Sequence, residues 1–420
     1  MCGKLINLPH IDFLTTTNKI PCPKKVKLPS TNLWNKGTER YNFLDLYRGI
    51  IVVFMLEGHV VRELLNPALQ ATTAFSYHEI FHGITAPGFL FGSGFTFAIA
   101  TTRKWQYAVR MGKPFLRRVL RAITLILIGY ALHFPYLSIS KTLEEATPAQ
   151  WDAFFQFDVL QCIGFSLLLM RFLLFVLRNE KHFIVSLTLL LVLIIYSTPL
   201  LSTIKASSIP LRAIVAAINT TTGSIYPLFP YSGFLLAGTL VSWRFLVAVQ
   251  NGRETIFIHR LLGLGIFLVA ASSVLEHLPI QTYPAYDFWT GSPNYFWMRL
   301  GILCILLGLL WYFENFFSLR GGFLMPQWLT KLGVESLFVY IAHLIIIYGW
   351  VINADWNLSA WLSLRCNIFT ALTVFLLLTF TLVLAAYGWH YLKKKHPILM
   401  NGILWWMTFC VVYQFLASPY

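Results

Sequence analysis

The chain is short of charge. Only 12% of its 420 residues are Asp, Glu, Lys or Arg, where a soluble protein carries roughly 25%. Acids are the scarcer half, 17 against 32 bases. With so little charge and 57% apolar residues, the composition excludes a soluble globular enzyme, a disordered chain and a solvated repeat array. Cysteine is sparse too. Cys2, Cys22, Cys162, Cys304, Cys366 and Cys410 are scattered and form no C-x-x-C pair. This argues against a disulfide framework or a zinc site and for buried, inert thiols. The first 42 residues lack an apolar core and are rich in lysine and proline (Pro21, Pro23, Lys24, Lys25, Lys27, Pro29). They do not read as a cleavable signal peptide, so the first hydrophobic segment is expected to act as an uncleaved anchor.

What the chain does have is long apolar runs. A membrane-spanning helix needs about 20 mostly apolar residues. Runs of that kind lie near 43–64, 79–101, 115–137, 158–177, 183–201, 224–245, 257–276, 295–313, 329–351, 367–391 and 402–417. The last is short and carries Trp405 and Trp406, so it reads either as a span or as an interfacial helix. The pattern predicts an all-α, polytopic membrane bundle of ten or eleven transmembrane helices. Residues 1–42 form a basic tail and 43–420 one transmembrane domain.

The net charge of +15 then has a topological reading, without nucleic acid as a partner. If the N-terminus is cytoplasmic, 25 of the 32 Lys and Arg residues fall in the tail and the cytoplasmic connections. Six fall on the outer side and Arg48 lies inside the first span. Such an asymmetry is the positive-inside pattern.

The first span reads FLDLYRGIIVVFMLEGHVVRELL. A charge at mid-bilayer costs at least ~2.5–3.5 kcal/mol on insertion scales, so polar residues there face the protein interior and serve function. Arg48 and His59 are three helical turns apart, on one face and separated by about 16 Å along the axis. Asp45 lies one turn from Arg48, placed to pair with it, and Glu57 falls nearly opposite. The spacing suits a cytoplasmic anionic donor held near Arg48, its reactive end reaching His59. Histidine can accept a proton near neutral pH, as a general base must. A structural Asp–Arg pair with a helix-packing histidine is the alternative.

The second span opens with His78, Glu79 and His82 and continues through Gly83, Pro87, Gly88, Gly92 and Gly94. The glycines permit close helix approach. The two histidines, four apart on one face, are candidates for the rim of a site, and no further ligand suggests a metal. Between the second and third spans come Arg103, Lys104, Arg110, Lys113, Arg117, Arg118 and Arg121 without an acid. Such a cluster attracts phosphates, of lipid headgroups or of a nucleotide-bearing cofactor. Positive-inside anchoring explains most of it, but not Arg121, which sits inside the apolar stretch VLRAITLILIGYAL and is expected to face a ligand path.

These residues resemble membrane-bound acyltransferases. LYRGIIVVFMLEGHVVRE is similar to the R-G-…-H signature of the acyltransferase type 3 family. That signature is shared by the bacterial branch related to the heparan-alpha-glucosaminide N-acetyltransferase catalytic domain. HGITAPGFLFGSG resembles that branch's T-H-x-x-A-P-x-F-x-F-x-x-G segment, with its histidine displaced. FDVLQCIGFSLL resembles its V-L-Q-x-I-G/A element, and YPLFPYSGFLLAGTLV its P-x-x-P-W-x-G element, with Tyr231 in place of Trp. RRVLR and ESLFVYIAHL are similar to acyltransferase type 3 segments, the second placing His343. The likeness covers most of residues 40–350.

The resemblance implies an acyl-CoA donor, acetyl-CoA above all, bound from the cytoplasm, and no metal. It also implies a carbohydrate or glycolipid hydroxyl or amine as acceptor on the other side of a bacterial inner membrane. In the animal N-acetyltransferases the position of His59 looks like Asn, and the catalytic histidine lies in the loop before the second helix, where this chain has His78. His59 is favoured here as the catalytic histidine, with His78 as the alternative. Arg48, Asp45 and Glu57 would assist it, while Arg117, Arg118 and Arg121 join Arg48 in holding the donor. Asp158, Gln161, His82, Glu335 and His343 are expected to line the acceptor side, although a helix N-cap is an equal reading of Asp158. A multi-pass transporter or flippase for an anionic or lipid-linked substrate is the competing class. The matched halves it would require are not seen. Oligomeric state is open, a homo-oligomer included.

Overall fold

A computed structural model describes residues 41–278, 288–319 and 326–418. The basic N-terminal tail up to residue 40 lies outside the described residues. From the N-terminal side, α1 (Asn42–Leu64) is followed by α2 (Pro67–Gln70), α3 (Thr73–His82) and α4 (Thr85–Thr102). A short α5 (Trp105–Ala108) leads into α6 (Lys113–Leu132), and α7 (Ile139–Glu145) and α8 (Pro148–Phe155) precede α9 (Val159–Leu177). Next come α10 (Glu180–Leu201), α11 (Ile209–Ile218), α12 (Leu228–Gln250) and α13 (Glu254–His277). They are followed by α14 (Phe288–Gly291), α15 (Pro293–Leu319), α16 (Gln327–Val334) and α17 (Ser336–Ile347). The chain closes with α18 (Leu358–Leu362), α19 (Ile368–Lys395) and α20 (Pro397–Ala417).

Among the described residues, eight helices are long and apolar enough to cross a membrane, with α3 and α4 taken together as Thr73–Thr102. The number is nine if α16 and α17 form one span bent by 84°. The protein is a multi-pass membrane protein. The helices α1 and α6 have 23 and 20 residues, which at 1.5 Å per residue is about 34 and 30 Å, long enough to span. They fall outside the apolar set because α1 carries Asp45, Arg48, Glu57, Arg62 and Glu63, and α6 carries Lys113, Arg117, Arg118 and Arg121. The ten or eleven spans read from sequence differ from the apolar set in these two helices and the broken pair. The Trp-rich last segment is a 21-residue helix that meets the length and apolarity of a span.

Despite its charges, α1 is enclosed along its apolar face. Tyr47, Ile51, Val52, Leu56, Val60 and Leu64 are fully buried. Its end is tied down by a short β-like pairing. Cys366 N–H donates to the Leu64 carbonyl (2.8 Å), Asn66 N–H to the Cys366 carbonyl (2.9 Å) and Leu364 N–H to the Glu63 carbonyl (3.0 Å). By contrast α10, α13, α19 and α20 turn apolar side chains outward, among them Leu193, Phe267, Leu377 and Trp405, as lipid-facing helices do.

Helix α4 packs against α12 at backbone distance. A Cβ at Gly94 would fall on the Leu235 carbonyl, and one at Gly238 on the Phe91 carbonyl. Two hydroxyls stitch the contact: Thr239 Oγ1 donates to the Gly94 carbonyl (3.1 Å) and Ser242 Oγ to that of Phe95 (3.0 Å). Small residues replace the missing hydrophobic drive between helices in lipid by allowing this close fit.

Candidate active site

Two polar regions are strung along α1, one at the Arg48 end and one at the His59 end. At the Arg48 end, Tyr47 Oη donates to the Gly88 carbonyl (3.1 Å) and fixes α1 against α4. Beside this contact is a cavity of about 390 Å³ between α1, α4, α6 and α9. Arg48, Arg118, Arg121 and Arg171 line it together with Ser93 and Thr96, and no carboxylate is among the lining residues. Arg48 Nη2 donates to Ser336 Oγ (2.9 Å), and Arg118 Nη2 to the Ala100 carbonyl (2.9 Å). Arg171 is 4% exposed and its guanidinium sits 4.8 Å over the Phe97 ring. Arg118 Nη1 and Arg171 Nη1 are buried without a hydrogen-bond partner.

Four guanidiniums around one cavity repel one another, and two of them hold buried donors without a partner, a combination that a bound anion would relieve. The volume is that of a small-molecule site. Of the residues expected here, Arg48, Arg118 and Arg121 meet in the cavity; Arg117 is exposed and does not line it. Asp45 is buried one turn below Arg48, its carbonyl where a Cβ on Gly333 of α16 would fall.

At the other end, three histidines from three helices converge. The His59 ring centroid lies 5.0 Å from that of His343 on α17 and 6.0 Å from that of His82 on α3. Gly58 makes room for His82, whose ring occupies the place a Cβ there would take. His59 Nδ1 hydrogen-bonds with Tyr348 Oη (2.9 Å). His343 is fully buried and its Nδ1–H donates to the Val339 carbonyl (3.1 Å). That bond selects the tautomer with the lone pair on Nε2, a buried atom without a partner.

Next to this group, the His78 and His82 rings are stacked with centroids 6.1 Å apart, as their spacing of four predicts. His78 Nε2 hydrogen-bonds with both oxygens of Glu57 (2.9 Å), and Arg62 pairs with Glu79. Glu57, opposite His59 on the helical wheel, thus serves His78 rather than His59.

The remaining expected residues divide. Asp158 caps α9, its Oδ1 accepting from Val159 N–H (2.7 Å), while its Oδ2 accepts from Tyr340 Oη (2.7 Å). The Tyr340 ring is in turn 5.4 Å from that of His343, so capping and proximity to the histidines coexist. Gln161 is fully buried, with Nε2 donating to the Gln156 carbonyl (3.3 Å). Glu335 lies apart from the histidines, bound to His390 Nδ1 (2.8 Å) and Lys393 Nζ (2.6 Å) of α19. Among the described residues, no group of three or more His, Cys, Asp or Glu is arranged to hold a metal ion.

Sequence reasoning missed Tyr348, Tyr340, Ser336 and Arg171. Arg171 counts as a connection charge in the sequence reading, but the structure buries it inside α9. A signal was present: Ile163, Leu167 and Arg171 recur at intervals of four, which puts them on one helical face, and all three line the cavity. Arg299 of α15 is also buried, with its guanidinium 3.7 Å over the Tyr295 ring.

No curated protein matches the chain. The family model described as heparan-alpha-glucosaminide N-acetyltransferase, catalytic, matches residues 40–276. The match takes in Arg48, His59, His78, Asp158 and the whole arginine cavity, and leaves His343 and Tyr348 beyond its end. Since it spans more than half of the chain, the protein belongs to the heparan-alpha-glucosaminide N-acetyltransferase catalytic family.

Proposed function

We propose that the protein is a bacterial inner-membrane acyltransferase with its N-terminus in the cytoplasm and its transmembrane domain over residues 43–420. It transfers the acetyl group of acetyl-CoA to a hydroxyl or amine of an extracytoplasmic carbohydrate or glycolipid. The observation that carries this reading is the arrangement of α1. One end of that helix enters a four-arginine cavity and the other joins a cluster of histidines, with Arg48 and His59 about 16 Å apart along the axis.

The cavity suits the phosphates of coenzyme A, because guanidiniums bind phosphate by charge-assisted, bidentate hydrogen bonds. From there the extended arm of the donor follows α1 and brings its thioester to the histidines. His59 takes the proton of the acceptor hydroxyl or amine as that oxygen or nitrogen attacks the thioester carbonyl. The C–S bond breaks, the acetyl group passes to the acceptor and the coenzyme A sulfur leaves as thiolate or, with the proton returned, as thiol. Tyr348 orients the His59 ring, and His343 offers a neighbouring lone pair. The pairing of Glu57 with His78 favours a second reading, in which the carboxylate orients His78 and that histidine is the base.

Reconstituted vesicles loaded with acetyl-CoA and isotope-labelled in the acetyl group test both readings. His59→Ala is expected to abolish transfer to an added saccharide acceptor while His78→Ala retains it; the reverse result assigns the base to His78. Raised melting temperature with coenzyme A is expected of the purified protein, since a ligand that binds only the folded state stabilises it. Absence of any such shift, with a saccharide moved unmodified across the vesicle membrane, would point to a transporter instead.

A further inference from the structure

Glu335 is a buried polar group to which the proposed chemistry gives no role. It is 4% exposed, sits at the break between α16 and α17, and is held by two bases of α19. A carboxylate this deeply buried is costly unless paired, and here both oxygens are occupied: Oε1 by His390 Nδ1 at 2.8 Å and Oε2 by Lys393 Nζ at 2.6 Å. The contacts continue on either side of the break. The Phe338 and Trp389 rings stack at 4.5 Å, and Lys331 Nζ lies 5.5 Å from the centre of the Tyr387 ring. Helix α19 therefore grips both arms of the 84° bend.

The bend faces α1 at the arginine cavity. A Cβ at Gly49 would fall on the Leu329 carbonyl and one at Gly333 on the Asp45 carbonyl, so α16 and α1 touch through their backbones on both sides of Arg48. The residue after Glu335 is Ser336, whose Oγ accepts from Arg48 Nη2 at 2.9 Å. A displacement of the break moves that acceptor directly.

We infer that Glu335 is a positioning residue for the donor site: clamped by His390 and Lys393, it fixes the α16–α17 break so that Ser336 aims the Arg48 guanidinium into the arginine cavity. The inference rests on the reading of that cavity as the coenzyme A site. It assigns donor affinity in part to α19, a helix outside both the cavity lining and the matched family region.

A double-mutant cycle on the full-length protein in detergent tests it, with calorimetric titration of coenzyme A as the readout. Glu335→Gln is expected to weaken coenzyme A binding about tenfold, within the range of energetic coupling between residues of one network. In turnover the loss appears in KM for acetyl-CoA rather than in kcat. Glu335→Gln combined with Arg48→Ala is expected to bind no more weakly than Arg48→Ala alone, because Glu335 acts through Arg48. Ser336→Ala, which removes only the acceptor hydroxyl, is expected to reproduce the loss and serves if Glu335→Gln fails to fold. Wild-type affinity in both Glu335→Gln and Ser336→Ala would overturn the inference, as would losses that multiply in the double variant. If the wild-type protein itself binds no coenzyme A, the reading of the cavity has failed, a result distinct from either of these.

Discussion

The imidazoles of His59 and His343 lie with ring centroids 5.0 Å apart, one on the first helix and the other on the second arm of the broken pair. Their surroundings differ. His343 is fully buried with Nδ1 committed to the Val339 carbonyl, whereas His59 is half-buried and tied to a tyrosine hydroxyl. Of the two rings, the more accessible is the better placed to meet an acceptor. His59→Ala is therefore expected to lower kcat by roughly 10²–10⁴-fold, the range for loss of a general base. Coenzyme A binding should persist, because the arginine cavity is about 16 Å away along α1. Steady-state turnover and a coenzyme A titration on the same preparation check both halves; loss of coenzyme A binding would mean that His59 supports the donor site instead.

Tyr348 offers a finer test of which histidine reacts. Its hydroxyl is 2.9 Å from His59 Nδ1, and a hydrogen bond of this kind contributes about 0.5–1.5 kcal/mol net. Tyr348→Phe is expected to slow turnover by up to about tenfold, with the protein otherwise intact. A turnover unaffected by Tyr348→Phe but lost in Glu57→Gln would place the reaction at His78.

Much of this was legible from local spacing, and the remainder was not for definite reasons. Placing Arg48 and His59 at opposite ends of one face needs only the helical repeat, as does the stacking of His78 on His82. The distant partners are a different matter. Tyr348 meets His59 across most of the chain, and no periodicity reports which helices become neighbours. Burial also eludes local reading: Arg171 sits in the run LLLMRFLLFVLRNEK, where a basic residue close to the helix end is indistinguishable from an anchoring charge. The break at Glu335 interrupts an apolar segment with no proline, and only Gly333 hints at it. It becomes intelligible once α19 supplies His390 and Lys393. The basic tail up to residue 40 lies outside the described residues.

The arginine cavity makes a graded prediction about donor affinity. Arg171 is the most deeply buried of its four guanidiniums and has an unmet donor in Nη1, while Arg121 has the more open position. A hydrogen bond to a charged group contributes about 1.5–3 kcal/mol, so Arg171→Ala and Arg121→Ala are each expected to weaken coenzyme A binding roughly ten- to hundredfold. Arg117→Ala, at an exposed site off the cavity, should leave it near the wild-type value. Equal losses in all three would reduce the cluster to a general surface charge. Raising salt should likewise weaken the wild-type complex, as expected of an interaction with phosphates.

The close seam between α4 and α12 should be the least tolerant part of the fold. At Gly94 a methyl group has no free space, because the Leu235 carbonyl occupies it, and the two helices must separate to admit one. Separation also breaks the bonds from Thr239 and Ser242 to the α4 backbone. Overpacking of this kind costs about 1–3 kcal/mol, so Gly94→Ala is expected to lower the melting temperature of the detergent-solubilised protein. Gly402→Ala, inside α20 where a Cβ meets nothing within 4 Å, is the matched control and should not lower it, since Ala is the better helix former. The two helices do not separate without consequence for the cavity, since Ser93, Thr96 and Phe97 of α4 line it. Gly94→Ala is therefore expected to weaken coenzyme A binding as well, and a destabilised variant with wild-type coenzyme A affinity would show that α4 moves without carrying the cavity wall with it.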